Sequence, residues 1–359
     1  MIRTLCLLLL LFLLTPAQGR ELPRNIVLVI GDGMGLAQIS AAHSLRPQLS
    51  LRQFPVIGLV ATASADALVT DSAAAATALA SGHKTRNQAI GVDPAGRPLP
   101  NLVERARAHG MATGLVVTSR ITHATPAAFV AHVGHRREES RIAEQLASSG
   151  VELLFGGGRD MFLPRAQGGQ RKDGKNLLRR LARSHHLAED AESFARLDEL
   201  PAVALLDEQA LPRAGRRPVS LAQMTAKALE LLARDPDGFF LMVEGSQIDW
   251  AGHRNDAQWL VQETLDLDNA LATVLAFARR DGNTLVVVTA DHETGGLALE
   301  GRRGEHELDI DFTTRGHTAS LVPLFAFGPG ATAFAGILDN TDIGQRLLSL
   351  IGQRAAGSP

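Results

Sequence analysis

Carboxylate, imidazole and hydroxyl side chains recur in this sequence beside glycines, at the points where apolar runs stop. Asn-Ile-Val-Leu-Val-Ile at 25–30 passes into Gly31-Asp32-Gly33-Met34-Gly35. The run at 239–243 passes into Glu244-Gly-Ser-Gln-Ile-Asp249-Trp250-Ala-Gly-His253, and the run at 285–288 into Thr289-Ala-Asp291-His292-Glu293-Thr294-Gly295-Gly296. Arg315-Gly-His317-Thr318 precedes a last apolar run. Asp249 and His253 are spaced i, i+4, so a helical turn projects both from one face, where they could share a metal. Taken singly, each has an ordinary explanation as a capping aspartate or a surface histidine. Their recurrence past three strand ends is what points to metal, and mixed oxygen and nitrogen ligands suit zinc. Three or four ligands per ion leave a position open for substrate. Two ions about 4 Å apart could clamp the attacking and leaving oxygens of a phosphoryl transfer.

A second kind of chemistry sits at 70–82, TDSAAAATALASG. Asp71 and Ser72 stand immediately before a run of strong helix formers, where they cap free N–H groups at an end that attracts anions. A serine there can be an exposed nucleophile facing a phosphate. On this stretch alone, a cap on an alanine-rich core helix is the better explanation of the residues.

The elements that must hold these groups alternate along the chain. Strands are expected at 25–30, 56–62, 114–118, 151–155, 238–243, 284–289 and 321–327, and helices at 36–45, 101–109, 138–148, 221–233 and 256–280. The first of these strands is continuous and β-branched, as a central parallel strand covered on both faces requires. The alternation predicts an α/β fold: a doubly wound, mostly parallel sheet with helices on both faces. In such sheets ligands bind outside the carboxyl ends of the strands, where Asp32 and its counterparts stand. The stretch at about 164–217, rich in Arg, Gly, Asp and Glu, breaks the pattern and reads as an excursion from the sheet rather than a second domain.

The 359 residues suffice for one large α/β domain or two ordinary ones. A net charge of -2 with 4% aromatics argues against a nucleic-acid binder. Residues 1–19 read as a secretory signal peptide: Arg3, an apolar run at 5–14, and a small-x-small site at Ala17-Gln18-Gly19. That run is short for a membrane span, so the expectation is an exported protein, periplasmic or extracellular, with a single domain at 20–359. Cys6, the only cysteine, lies within the leader, which leaves the mature chain without disulfides.

With these motifs in view, the sequence resembles the alkaline phosphatases from Asn25 to about Phe327. The matching segments are GDGMG at 31–35, VTDSAAAATA at 69–78, HATPAAFVAH at 123–132 followed by Arg136, EGSQID at 244–249 with His253, ADHETGG at 290–296 and GHT at 316–318. They stand in family order. The resemblance implies phosphomonoester hydrolysis with two zinc ions and one magnesium. It implies that Ser72 is the nucleophile forming a phosphoserine. Asp249, His253 and His317 are then the ligands of a first zinc, and Asp32, Asp291 and His292 those of a second. Asp32 would bridge to a magnesium completed by Thr125 and Glu244, and Arg136, oriented by Asp71, would grip the phosphate. His123 and Trp250 stand where some relatives carry an aspartate and a lysine, which bears on metal preference and turnover. Eight further histidines, among them His132 and His306, match no ligand position.

Two rivals remain at this level. A phosphodiesterase, sulfatase or phosphomutase of the same superfamily would share the sheet and the ligands, but Arg136 favours monoesters, since its two hydrogen bonds need two free charged oxygens. An exported, non-catalytic metal- or phosphate-binding protein would need the ligands but not Ser72. Homodimerisation is expected by resemblance only.

Overall fold

The structure is a computed structural model that describes residues 22–301 and 308–353. The expected signal peptide and His306 lie outside the described residues. In chain order the strands are β1 (Asn25–Gly31), β2 (Val56–Ala61), β3 (Ala112–Arg120), β4 (Leu153–Gly157), β5 (His186–Ala188), β6 (Ala202–Leu205) and β7 (Phe239–Gly245). They continue with β8 (Thr284–Thr289), β9 (Glu293–Thr294), β10 (Leu297–Glu300), β11 (Asp309–Phe312), β12 (His317–Thr318), β13 (Val322–Phe327) and β14 (Gly336–Asp339).

Ten of these strands form one sheet in the order β14-β2-β13-β8-β1-β7-β3-β4-β6-β5. All pairings are parallel except those of β13, which runs antiparallel to both β2 and β8. β1 lies in the middle between β7 and β8, with every residue buried. An unbroken β-branched run can be placed nowhere else, because helices cover it on both faces. Parallel registry then brings the carboxyl ends of β1, β7 and β8 to one edge: Ile30 pairs with Glu244 and with Thr289. Asp32 and Asp291 each follow within two residues of that pairing.

The stretch at 164–217 departs from expectation. It is not wholly an excursion, because β6 pairs parallel with β4 and β5 pairs parallel with β6. The strands are four and three residues long, too short to show a period in the sequence. The end of the stretch is fastened by Arg217, which forms buried ion pairs with Glu263 and Asp266 on the helix Ala257–Asp281. No helix among the described residues is long and apolar enough to cross a membrane.

The helix Ser72–Ser81 is buried along its whole length. Its alanines let the helix Asn340–Gln353 cross closely, and the crossing point is Gly344. A Cβ there would lie 2.6 Å from the Gly82 nitrogen and 2.7 Å from the Ala78 carbonyl oxygen, both backbone atoms that cannot step aside. Alanine in a helix gains about 1 kcal/mol over glycine. Overpacking against fixed backbone costs about 1–3 kcal/mol. Gly344→Ala is therefore expected to destabilise, read as a lower urea midpoint with unchanged slope.

Candidate active site

Three elements deliver the first cluster. The helix Gln247–Arg254 follows β7 directly and carries Asp249 and His253 one turn apart, while the β9–β12 ribbon, in which His317 pairs with Thr294, brings in His317. His253 Nε2 and His317 Nε2 lie 3.3 and 3.4 Å from Asp249 Oδ1 and 3.2 Å from each other. Ligands 2.0–2.1 Å from a tetrahedral zinc are spaced about 3.3 Å apart, so this near-equilateral triangle has the size of one face of a zinc site. The far sides of the rings fit as well. His253 Nδ1 is 2.5 Å from the Arg315 carbonyl oxygen, and His317 Nδ1 is 2.9 Å from that of Thr70. Carbonyls only accept, so each Nδ1 carries the proton and each Nε2 offers a lone pair to the centre.

The second cluster is Asp32, Asp291 and His292, all buried. His292 Nε2 is 3.2 Å from Asp291 Oδ2, 3.6 Å from Asp32 Oδ1 and 3.2 Å from Ser72 Oγ. Ser72 is the first residue of its helix, and Asp71 caps it by accepting from the Ala74 N–H at 3.0 Å. The rings of His292 and His317 stack with centroids 3.5 Å apart, so the two clusters adjoin.

A third group combines Asp32, His123 and Glu244. Thr125, on the short helix Ala124–Ala128, is buried with no partner for its hydroxyl. Among the described residues, six of the eleven buried side-chain polar atoms that lack a hydrogen-bond partner belong to these groups: both Asp32 oxygens, Asp291 Oδ2, Glu244 Oε1, Thr125 Oγ1 and His123 Nδ1. Leaving a buried polar atom unpaired costs about 1–3 kcal/mol, more if it is charged. Such a concentration marks a place built for cations.

Electrostatics point the same way. Burial, and then the charges of Asp291, Asp249 and Glu244, push the Asp32 carboxyl well above the usual range. Burial raises Glu244 to about 7, and burial with the Asp249 charge raises Asp291 to about 6. Asp249 goes the other way: burial opposes its ionisation, but the hydrogen bond to His317 and the neighbouring imidazoles outweigh it and hold the carboxyl below its usual range. Burial, and then the His317 charge, keep His292 neutral far below its ordinary value, and burial with the Arg136 charge lowers His123 to about 3. Asp249 thus stays ionised beside His317, whereas Asp32, Asp291 and Glu244 disfavour one another's ionisation until positive charge sits between them.

Arg136 closes the opposite side. Its Nη1 donates to Asp71 Oδ2 at 3.1 Å, its Nη2 lies 3.2 Å from His123 Nε2, and its backbone N–H donates to the Gln88 carbonyl at 2.7 Å. Asp71 thus does two things, capping the serine helix with Oδ1 and orienting the arginine with Oδ2. Trp250 is half-buried with its ring edge-on to His123, centroids 5.9 Å apart. Every residue expected at the site is therefore gathered at one sheet edge. Sequence reasoning missed three supports: Asn87, whose Oδ1 accepts from the Asp71 N–H; Ser246, which donates to Glu244 at 2.5 Å; and Thr294, 2.5 Å from Asp249. Only Thr294 left a signal, since it stands two residues after His292 at the end of the same motif.

Known proteins are similar to this chain in sequence and fold. A sequence model of the family described as "Alkaline phosphatase" matches residues 23–306. Alkaline phosphatase 3 of Bacillus subtilis (strain 168) is 32% identical, over 91% of this chain and 89% of the relative. The solved structure of alkaline phosphatase from the Antarctic bacterium TAB5 superposes with a TM-score of 0.84 at 40% identity, covering 92% of this chain and 98% of that one. A histidine-to-aspartate mutant of the TAB5 enzyme, solved with Mg bound in its M3 site, superposes at 0.85 with 39% identity, covering 93% and 99%.

Proposed function

This chain belongs to the alkaline phosphatase family and is a phosphomonoester hydrolase, and from that premise we propose that it works through a phosphoserine formed on Ser72. The observation that carries the reading is the approach of Ser72 Oγ to within 3.2 Å of His292 Nε2 at a helix N-terminus, beside unpartnered carboxylate oxygens. Asp249, His253 and His317 would hold one zinc, Asp32, Asp291 and His292 a second, and Asp32, Glu244 and Thr125 a magnesium, with His123 beside that third position and Trp250, packed on His123, toward the phosphate. When bound, these ions supply Lewis-acid stabilisation of the attacking and leaving oxygens and acidify water and the serine hydroxyl. The chain's own residues do the rest. The helix Ser72–Ser81 presents Ser72 with its N–H groups toward a phosphate. Asp71 fixes the guanidinium of Arg136, which holds two charged phosphate oxygens as a planar fork. In the first displacement the Ser72 oxygen would bond to phosphorus as the ester P–O bond breaks, the serine proton passing to solvent and the leaving alcohol regaining one; in the second, water would break the Ser72–phosphorus bond, releasing inorganic phosphate and restoring the serine hydroxyl. Asp32 and Glu244, which burial would otherwise leave protonated, would be ionised by the charge of the cations they hold. The leader at 1–19 exports the enzyme, so its substrates are phosphate esters met outside the cytoplasm.

Arg136 tests the monoester assignment. Each charge-assisted hydrogen bond contributes about 1.5–3 kcal/mol. Arg136→Ala is accordingly expected to lower kcat/KM for an aryl phosphate monoester by roughly 10²-fold and to weaken inhibition by inorganic phosphate. Arg136→Lys should restore only part of that, lacking the fork. The slow rate on an aryl diester, with fewer charged oxygens to grip, should change far less. Equal losses on both substrates would refute the assigned role.

A further inference from the structure

Three imidazoles in the first two clusters need a partner on the ring nitrogen turned away from the centre. Two of them use backbone carbonyls, of Arg315 and Thr70. The third, His292, uses the hydroxyl of Thr294, 3.2 Å from its Nδ1. The same hydroxyl lies 2.5 Å from Asp249 Oδ1, a member of the other cluster. A threonine hydroxyl has one proton and two lone pairs. Asp249 Oδ1 is the acceptor of that contact, so the hydroxyl proton goes to Asp249. The lone pairs then face His292 Nδ1, which must be the protonated nitrogen. That leaves Nε2 unprotonated and turned toward Asp291, Asp32 and Ser72.

The packing prevents Thr294 from satisfying these partners in any other way. The residue is fully buried, and its backbone N–H donates to the Gly33 carbonyl at 3.2 Å. A Cβ at Gly252 would lie 2.9 Å from the Thr294 methyl, and one at Gly33 would lie 2.9 Å from its hydroxyl. The methyl is thus seated against the helix that carries Asp249 and the hydroxyl against the loop after β1. The χ1 of a β-branched side chain is restricted, and here exchanging methyl and hydroxyl would put the wrong group on both faces.

We propose that Thr294 is a positioning residue whose hydroxyl couples the two zinc clusters, setting the tautomer of His292 and the carboxylate orientation of Asp249 at once. This rests on the reading that those clusters hold zinc. The test is a zinc titration of the metal-stripped full-length protein against a competing chromophoric chelator. Thr294→Val removes the hydroxyl and keeps the shape; Thr294→Ser keeps the hydroxyl and removes the methyl. Partners behind metal ligands typically contribute 10–100-fold to affinity. Both zinc-binding steps should therefore weaken at least about tenfold in Thr294→Val, and remain within about threefold of the parent in Thr294→Ser. Parent-like binding by Thr294→Val, weakening of one step alone, or an equal loss in Thr294→Ser would each overturn the coupling. Should Thr294→Val fail to fold, Thr294→Ala against Thr294→Ser carries the same contrast. A parent protein that takes up fewer than two zinc ions would instead sink the reading on which the coupling rests.

Discussion

Ser72→Ala is expected to lower turnover of an aryl phosphate by at least about 10³-fold while leaving KM and the fold nearly unchanged. Losing the atom that forms the covalent intermediate removes a route rather than a contact, and such losses in enzymes that act through a nucleophile run to several orders of magnitude. The structural cost is small for a specific reason. The helix is capped by Asp71, which accepts from the Ala74 N–H, and the Ser72 hydroxyl has His292 Nε2 as its hydrogen-bond partner. Removing it leaves the cap, the Asp71–Arg136 pair and the two metal clusters in place, so thermal melting should shift by no more than the equivalent of about 1 kcal/mol. Activity within about tenfold of the parent would remove Ser72 from the mechanism.

Metal removal is the second large effect, and its pH dependence is distinctive. Without cations, Asp32, Glu244 and Asp291 are acids whose folded-state values stand above their unfolded ones, Glu244 at about 7 and Asp291 at about 6. A raised acid stabilises the fold through its protonated form. That stabilisation is complete below the ordinary carboxyl range near 4 and is lost as pH rises through 6 to 7. Buried, neutral His292 and His123 act in the opposite sense below their ordinary value near 6.5, so chelated protein should melt lower as pH rises from about 6.5 to 8, where the carboxyl groups alone decide the sign. Metal-loaded protein should not, because bound cations hold the same carboxylates ionised at both pH values. Activity should vanish on chelation and return only when zinc and magnesium are supplied together. A chelated protein whose melting temperature is flat across that range would contradict the electrostatic description of the site.

Much of the frame was legible because its causes are local. β1, β7 and β8 are apolar runs that end in polar residues, and the parallel sheet turns a sequence pattern, strand then ligand, into one spatial edge. The helix spacing of Asp249 and His253 was readable for the same reason. What stayed hidden depends on pairing. Nothing in Val322–Phe327 distinguishes an antiparallel strand from a parallel one, yet β13 is the one that reverses. β5 and β6 are too short to carry a period, so the stretch at 164–217 read as leaving the sheet when part of it extends the edge. The third metal group shows the same limit within the site. His123 joins Asp32 and Glu244 there through a turn after β3 that no periodicity announces. Thr294 matters because two glycines and a ribbon pairing press it against Asp249, 45 residues away in sequence. Such closeness is a property of the fold and not of any stretch of residues.

The central claim, that phosphate passes through Ser72, is tested most directly by trapping it there. Metal-loaded enzyme is mixed with a phosphomonoester at mildly acidic pH, where the dephosphorylation step should be slow, then quenched in acid, digested and sequenced by mass spectrometry. The expected result is a phosphate on Ser72 that appears within the first turnover, is absent from Ser72→Ala, and disappears when substrate is exhausted. An active enzyme that never carries phosphate on Ser72, or that carries it on another residue, would contradict the account.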